Sequence, residues 1–356
     1  MRIVILKHKF KFRGLLRVNI LLGVAWFIVS CEIKRPKEPL PKALFALIDS
    51  SETGVNFVNF ITETPEDNHL VNENFVTGAG VAIGDINNDG LNDLYFTGNQ
   101  VGDRLFINNG NLKFTDITHD AGISFPNTWS TGVSMADVNA DGLIDIYVCK
   151  NVQGNPSASA NLLFINNGDL TFTELAKDYG INDRGYSIQA NFFDYDMDGL
   201  IDMYLVNQPP GIGNRQGGRS KDKRINSLYS DKLYKNLGQG LGFIEISPVA
   251  KTENRGHGLS SVIGDLNNDS YPDIYVANDY DEPDYLYINQ GNGTFKEDLK
   301  ARVGHISNFS MGSDIADYDN DGNLDLVVLD MVAEDHKRIK TNMGGMNPDN
   351  FWKIVN

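Results

Sequence analysis

An acidic pattern of nine residues occurs five times in the chain, so the fold must repeat one structural unit at least five times. The copies are DINNDGLND from Asp85, DVNADGLID from Asp137, DYDMDGLID from Asp194, DLNNDSYPD from Asp265 and DYDNDGNLD from Asp317, all reading D-x-[DN]-x-D-[GS]-x-x-D. Their starts lie 52, 57, 71 and 52 residues apart. That period is close to the length of a propeller blade and too long for ankyrin or tetratricopeptide units.

A second element travels with the first. RLFINNGNLKFTDIT from Arg104, LLFINNGDLTFTELA from Leu162, KLYKNLGQGLGFIEI from Lys232 and YLYINQGNGTFKEDL from Tyr285 each hold an apolar run, an Asn/Gly turn and a second short run. This is hairpin chemistry, because Asn and Gly take positive φ at low cost. Each acidic loop also sits between β-type runs, such as GVAIG or GVSMA before it and DLYFTGN, DIYVCKN, DMYLVNQ, DIYVAND or DLVVLDM after it. One repeat therefore predicts strand, acidic loop, strand, connection, strand, turn, strand. Four-stranded antiparallel units of this kind, stacked around an axis, make an all-β fold, the β-propeller. A chain of 356 residues is long enough for one such domain.

Three or four carboxylates within nine residues repel one another unless a cation or protons intervene. Oxygen-bearing side chains at positions 1, 3, 5 and 9, with the backbone carbonyl at position 7, converge on one point, and glycine at position 6 permits the sharp turn. Hard oxygen donors on a flexible loop favour Ca²⁺ over Zn²⁺. The candidate ligands are Asp85, Asn87, Asp89, the Leu91 carbonyl and Asp93 in the first loop; Asp137, Asn139, Asp141, the Leu143 carbonyl and Asp145 in the second; and Asp194, Asp196, Asp198, the Leu200 carbonyl and Asp202 in the third. In the fourth they are Asp265, Asn267, Asp269, the Tyr271 carbonyl and Asp273, and in the fifth Asp317, Asp319, Asp321, the Asn323 carbonyl and Asp325. An EF-hand is excluded, since its bidentate Glu at position 12 is replaced by Phe96, Val148, Leu205, Val276 and Val328 within predicted strands. Asp, Asn and Gly are also ordinary hairpin residues, so one copy carries little weight; five copies with the same donor positions carry much more. Ser270 stands where glycine is expected, which predicts a strained turn and a weaker fourth site.

The strings GVAIGDINNDGLNDLYFTGN and SDIADYDNDGNLDLVVLD resemble FG-GAP/VCBS repeats, the units of integrin α-type propellers. With the LFINNG hairpins and the connectors at Asp120–Ile123 and Asp178–Ile181, residues 44 to 330 look most like the cartilage acidic protein-like (ASPIC/UnbV) bacterial family. The resemblance implies a propeller with Ca²⁺ in the first hairpin of each blade and a role in extracellular binding or adhesion. Two departures stand out: the C-terminal ASPIC/UnbV module is absent, and five acidic loops occur where such propellers usually have seven blades. LFALIDSSETGVNF (Leu44–Phe57) resembles KFTDITHDAGISF (Lys113–Phe125), an outer strand plus connector whose partner hairpin is missing. Two readings stay open, a piece of a longer chain with an incomplete or open propeller and an irregular closed ring. The resulting organisation is 44–77 as outer strand and connector, 78–330 as propeller and 331–356 as a C-terminal segment or truncated blade.

The N-terminus reads as a targeting segment. Arg2, Lys7, Lys9, Lys11, Arg13 and Arg17 precede the uninterrupted apolar run Ile20–Val29. Ten helical residues span about 15 Å, half of a hydrocarbon core of roughly 30 Å, which disfavours a spanning helix. Ile28-Val29-Ser30-Cys31 resembles the lipobox of bacterial lipoproteins, in which the cysteine is acylated. The expectation is a signal peptide over 1–30, lipidation at Cys31 and a Pro-containing tether over 31–43, with ordinary secretion and an uncleaved anchor as alternatives. The protein is then exported and lipid-anchored in the bacterial cell envelope, at the outer membrane.

Lys and Arg total 31 against 47 Asp and Glu, a net charge of −16, which argues against a nucleic-acid partner. The five loops hold 17 of those carboxylates, and five Ca²⁺ would bring the charge to about −6. Antiparallel turns alternate between ends, so the acidic loops and Asn/Gly turns share one face, and the longer connections, including Gln208–Ser227 with its Arg and Lys residues, share the other. Recognition of a protein or polysaccharide is expected on that second face. The acidic stretch Asp279, Asp281, Glu282 and Asp284 and the ring of Trp129 are further candidates there, beside plain solvation and core packing. Cys149 is expected to be a buried strand residue. No catalytic constellation occurs: there is no HExxH and no GxSxG, and GAGVAIG leads into an acidic loop, not a helix. The expected function is a calcium-binding propeller that binds an extracellular macromolecule; a calcium-assisted polysaccharide lyase or hydrolase and a structural envelope subunit are the alternatives.

Overall fold

The computed structural model describes residues 45–331, apart from 66–67, 70–74, 77, 124–128, 153–154, 156–157, 210–226, 255, 280–281 and 308. The signal segment, Cys31, the tether, most of the Gln208–Ser227 insertion, Asp281 and residues 332–356 lie outside the described residues.

Each repeat folds into one antiparallel sheet in sequence order. Blade one holds β1 (Val81–Gly84), β2 (Asp93–Phe96), β3 (Arg104–Asn108) and β4 (Phe114–Asp116). Blade two holds β5 (Ser130–Ala136), β6 (Asp145–Lys150), β7 (Leu162–Asn166) and β8 (Phe172–Glu174). Blade three holds β9 (Tyr186–Phe193), β10 (Asp202–Gln208), β11 (Lys232–Asn236) and β12 (Phe243–Glu245). Blade four holds β13 (His257–Gly264), β14 (Asp273–Asp279), β15 (Tyr285–Asn289) and β16 (Phe295–Glu297), and a last two-stranded sheet pairs β17 (Ser310–Ala316) with β18 (Asp325–Asp330). The five acidic loops are the tight connections from the first to the second strand. Gly84 pairs with Asp93, Ala136 with Asp145, Phe193 with Asp202, Gly264 with Asp273 and Ala316 with Asp325 across them.

The core lies between blades. β6 is buried along its whole length because both of its faces are covered. Ile146 and Val148 pack with Tyr95, Leu105 and Ile107 of blade one, while Tyr147 and Cys149 pack with Met203, Leu205 and Tyr234 of blade three. The period of two thus alternates neighbours, not core and solvent, which is why these runs read as continuously apolar. The same arrangement joins blades three and four around Tyr204, Ile274 and Tyr287, and blade four to the last sheet around Tyr275, Ala277 and Ile288. The first strands follow one another as β1, β5, β9, β13 and β17. At the ends of this arc the alternation fails: Val81 and Ile83 of β1 are exposed, and no residue of β18 is fully buried. The described blades form a propeller-like arc, not a closed ring.

Four connections join one blade to the next, and those entering blades two and three cross the outer strand of the blade they enter, β8 and β12. The other two contain single helical turns, α2 (Ser247–Ala250) and α3 (Leu299–Arg302) in the numbering that begins with α1 (Ser50–Thr53). Gly122 and Gly180 take positive φ where a Cβ would meet the carbonyls of Phe172 and Phe243 at 3.4 and 2.8 Å. Gly54 does the same against the Phe114 carbonyl at 2.5 Å, after α1 with Asp49 at its N-cap. Residues 49–57 therefore lie on blade one as a connector lies on its next blade, and Phe57 stacks on Phe96 with ring centroids 5.3 Å apart. Residues 45–49 pair with no strand, and Phe45 and Leu47 are exposed.

A candidate metal centre repeated in five loops

The five loops share one backbone path. Position 4 is left-handed in each, at Asn88, Ala140, Met197, Asn268 and Asn320, with φ between 57° and 62°. Position 6 is left-handed too, at Gly90, Gly142, Gly199 and Gly322 with φ of 84° to 88° and at Ser270 with φ of 74°. Ser270 therefore carries a side chain in a conformation that favours glycine.

This path turns backbone N–H groups onto the carboxylates. Asp85 accepts from the N–H of Asp89 at 3.1 Å and of Gly90 at 2.7 Å, and Asp137, Asp194, Asp265 and Asp317 accept in the same way from positions 5 and 6 of their loops. Position 5 in turn accepts from the N–H of position 7 at 2.8 to 2.9 Å in every loop. The side chain at position 7 rests on the hairpin turn of its own blade: Leu143 approaches Gly168 and Leu200 approaches Gly238. Acidic loops and Asn/Gly turns thus share one face.

The aspartates at position 9 sit deeper. Asp93, Asp145, Asp202 and Asp273 are fully buried, and each accepts from two backbone N–H groups. One belongs to position 2 of the loop (Ile86, Val138, Tyr195, Leu266) and the other to the last residue of the third strand (Asn108, Asn166, Asn236, Asn289), all at 2.8 to 3.1 Å. Burial pushes these carboxyls up, to about 6 for Asp145 and Asp273 and about 7 for Asp202, and the other loop carboxylates add to the effect. A cation among them would relieve both causes.

The donor set fits a hard cation. One carboxylate oxygen from each of Asp194, Asp196 and Asp198 lies within 4.8 Å of the others, and Asp317, Asp319 and Asp325 converge likewise. In the first, second and fourth loops Asn87, Asn139 and Asn267 stand at position 3, each donating its Nδ2 to the position 5 carboxylate at 2.9 to 3.0 Å.

Two features of this face go beyond the acidic pattern. The Asn ending the third strand clamps the loops of two blades: Asn166 Nδ2 donates to the carbonyls of Ile144 and of Ile86 in the preceding blade, while its Oδ1 accepts from Gly168. Asn236 and Asn289 repeat this against Val138 and Tyr195. The signal was the Asn of the LFIN strings, which hairpin chemistry alone leaves without a partner. The second feature is Lys235, whose ammonium donates to Asp196 and Asp198 of the third loop; nothing in the nine-residue pattern points to it.

At the opposite end the structure departs from expectation. Asp284 and Asp279, candidates for either an acidic recognition surface or plain solvation, are buried. Asp284 accepts from the Tyr275 hydroxyl, the Asn278 N–H and the Ser310 hydroxyl of the next sheet. Asp103 is bound likewise by Tyr95, Gly98 and Ser130, and Asp231 by Tyr204, Asn207 and Asn254. Asn161 takes this place in blade two, accepting from the Lys150 N–H and donating to Ser187. Trp129 is half-buried, its ring 5.4 Å from that of Phe75, and Cys149 is buried in β6.

The family described as FG-GAP-like repeat matches residues 77–148 and 265–328. Among curated proteins the chain is similar to cartilage acidic protein 1 of Mus musculus, 25% identical over 225 residues, which are 62% of this chain and 32% of that protein. The same protein of Xenopus tropicalis is 25% identical over 237 residues, 65% of this chain and 34% of that one. The chain spans about a third of the length of the curated relatives it matches. Solved structures with some likeness include an Agrocybe aegerita lectin that recognises non-reducing terminal N-acetylglucosamine, with a TM-score of 0.40 and 19% identity over 71% of this chain and 61% of that one. A rhamnogalacturonan lyase of Bacillus licheniformis gives a TM-score of 0.33 and 16% identity over 71% and 54%. The chain carries FG-GAP-like repeats over part of its length and is similar over part of its length to cartilage acidic protein 1.

Proposed function

We propose that the chain is an exported, calcium-binding repeat protein that binds an extracellular macromolecule, a protein or a polysaccharide, and is not an enzyme. The observation that carries this reading is the backbone path shared by five acidic loops, with carboxylates that converge in the third and the fifth. In each loop calcium would be held by the side chains at positions 1, 3, 5 and 9 and the carbonyl at position 7, from Asp85, Asn87, Asp89, Leu91 and Asp93 onward. When bound, it supplies the positive charge that lets these carboxylates stay ionised and close together. The blades thereby become a rigid support for the connections at the other end, where recognition is placed. Similarity to cartilage acidic protein 1 supports a repeat-based binding role. Attachment to the outer membrane through Cys31 belongs to the same proposal.

The test is a panel of extracellular glycans and matrix proteins offered to the full chain in millimolar calcium and in chelator. Saturable binding to one class, lost in chelator, is expected. Cleavage of a glycan would replace this reading with an enzymatic one, and no binding at all would favour a structural subunit. Cys31→Ser should release the protein from the membrane fraction, and a variant that stays there would contradict the anchor.

A further inference from the structure

The third acidic loop differs from its neighbours in what its carboxylates face. Lys235 occupies the β11 position that Ile107, Ile165 and Ile288 take in β3, β7 and β15, where all three isoleucines are buried in the core between blades. Its ammonium instead donates to Asp196 Oδ2 and, at 2.9 Å, to Asp198 Oδ2, and stands 5.5 Å from the centre of the Tyr195 ring. Two of these three partners are particular to this blade when set against the first, second and fourth, the position 5 aspartate being common to all. Position 3 is Asp196 in place of Asn87, Asn139 and Asn267, and position 2 is Tyr195 in place of Ile86, Val138 and Leu266. In those three loops the Asn amide bridges to the position 5 carboxylate. In the third loop a full positive charge makes that bridge, and one more carboxylate balances it.

We propose that Lys235 is the resident cation of the third loop: its ammonium holds Asp196 and Asp198 together in the metal-free protein and opposes a divalent cation on the same oxygens. The third loop then keeps its shape without calcium and binds calcium more weakly than the first and second loops do. This rests on the reading of the loops as calcium sites. An ammonium and a divalent ion sharing two carboxylates stand within a few ångströms of each other, and at that range like charges at a protein surface change affinity by about tenfold or more. Lys235 acts through the carboxylates it holds, so it is a positioning residue.

The experiment is a calorimetric calcium titration of the full chain, wild type against Lys235→Ile and Lys235→Arg, paired with thermal melting in chelator and in calcium. Isoleucine is the residue the sister strands carry, so it suits the core beneath. Lys235→Ile is expected to tighten one site by about tenfold or more, to melt lower than wild type in chelator, and to recover the difference in calcium. Lys235→Arg, which keeps the charge, should behave as wild type in both respects. Unchanged affinities together with unchanged melting in chelator would overturn the proposal, and so would a loss of stability that calcium does not restore. Absence of calcium binding in every variant would defeat the calcium reading of all five loops. The melting in chelator would still decide separately whether Lys235 holds the third loop.

Discussion

Aspartate is placed at both ends of the blades, and the exposed loop aspartates of one end and the buried aspartates of the other have their charge met in opposite ways. At the acidic face, Asp89 and Asp141 are exposed and their neighbours within the loop are mostly other acceptors and backbone N–H groups. At the far end, Asp103, Asp231 and Asp284 are buried among hydroxyl and amide donors of the same and the next blade. Burial pushes all three carboxyls up, Asp231 to about 7. One end therefore leaves charge for an ion, while the other offsets burial with neutral donors and ties blade to blade without one.

The comparison can be broken most forcefully at Asp231. Asp231→Ala strips the acceptor from the Tyr204 hydroxyl, the Asn207 N–H and the Asn254 amide, and is expected to cost about 3–5 kcal/mol in denaturant unfolding. The loss should be equal in calcium and in chelator. A loss confined to calcium would place Asp231 in the metal's network.

The protonation of Asp231 gives the next effect. Its folded carboxyl titrates at about 7 against an ordinary value of 3.8, so the folded state holds the proton more tightly than the unfolded one. The sign follows: this group favours folding most below about pH 4, and its contribution is lost as pH rises through 7, by up to about 4 kcal/mol. Asp231→Asn should flatten that part of the stability profile measured in chelator, and an unchanged profile would mean the carboxyl is ionised in the fold.

Smaller changes belong to the acidic face. Asp89→Ala should cost about 1–2 kcal/mol more in calcium than in chelator, because in chelator relief of like-charge repulsion offsets the lost hydrogen bonds from the Leu91 N–H and Asn87 Nδ2. A loss of equal size in both would assign Asp89 to the fold alone. Smallest is Ser270→Gly, which relieves a left-handed residue at φ 74° and should stabilise by about 1 kcal/mol while tightening the fourth site.

The acidic loops and the four-stranded blades were legible because their determinants are local. Asp85 to Asp93 contains nearly all that shapes its turn, and the alternation in DIYVCKN names a strand whichever blades flank it. The buried networks were hidden because their partners come from other blades: Ser310 reaches Asp284 and Asn166 reaches Ile86 across long stretches of chain. An aspartate is usually solvated, so Asp284 beside Glu282 reads as surface until the Tyr275 hydroxyl is seen upon it. Lys235 was masked in the same way, since a basic residue at the end of a short strand looks like an ordinary exposed one.

The central claim is that the acidic face is built around calcium, and thermal unfolding of the full chain in calcium and then in chelator tests it most directly. Ions bound by the folded state alone must raise the melting temperature with concentration. The account predicts one cooperative transition that moves to higher temperature as calcium is added and returns when it is chelated. A cooperative transition at the same temperature in both conditions would contradict it.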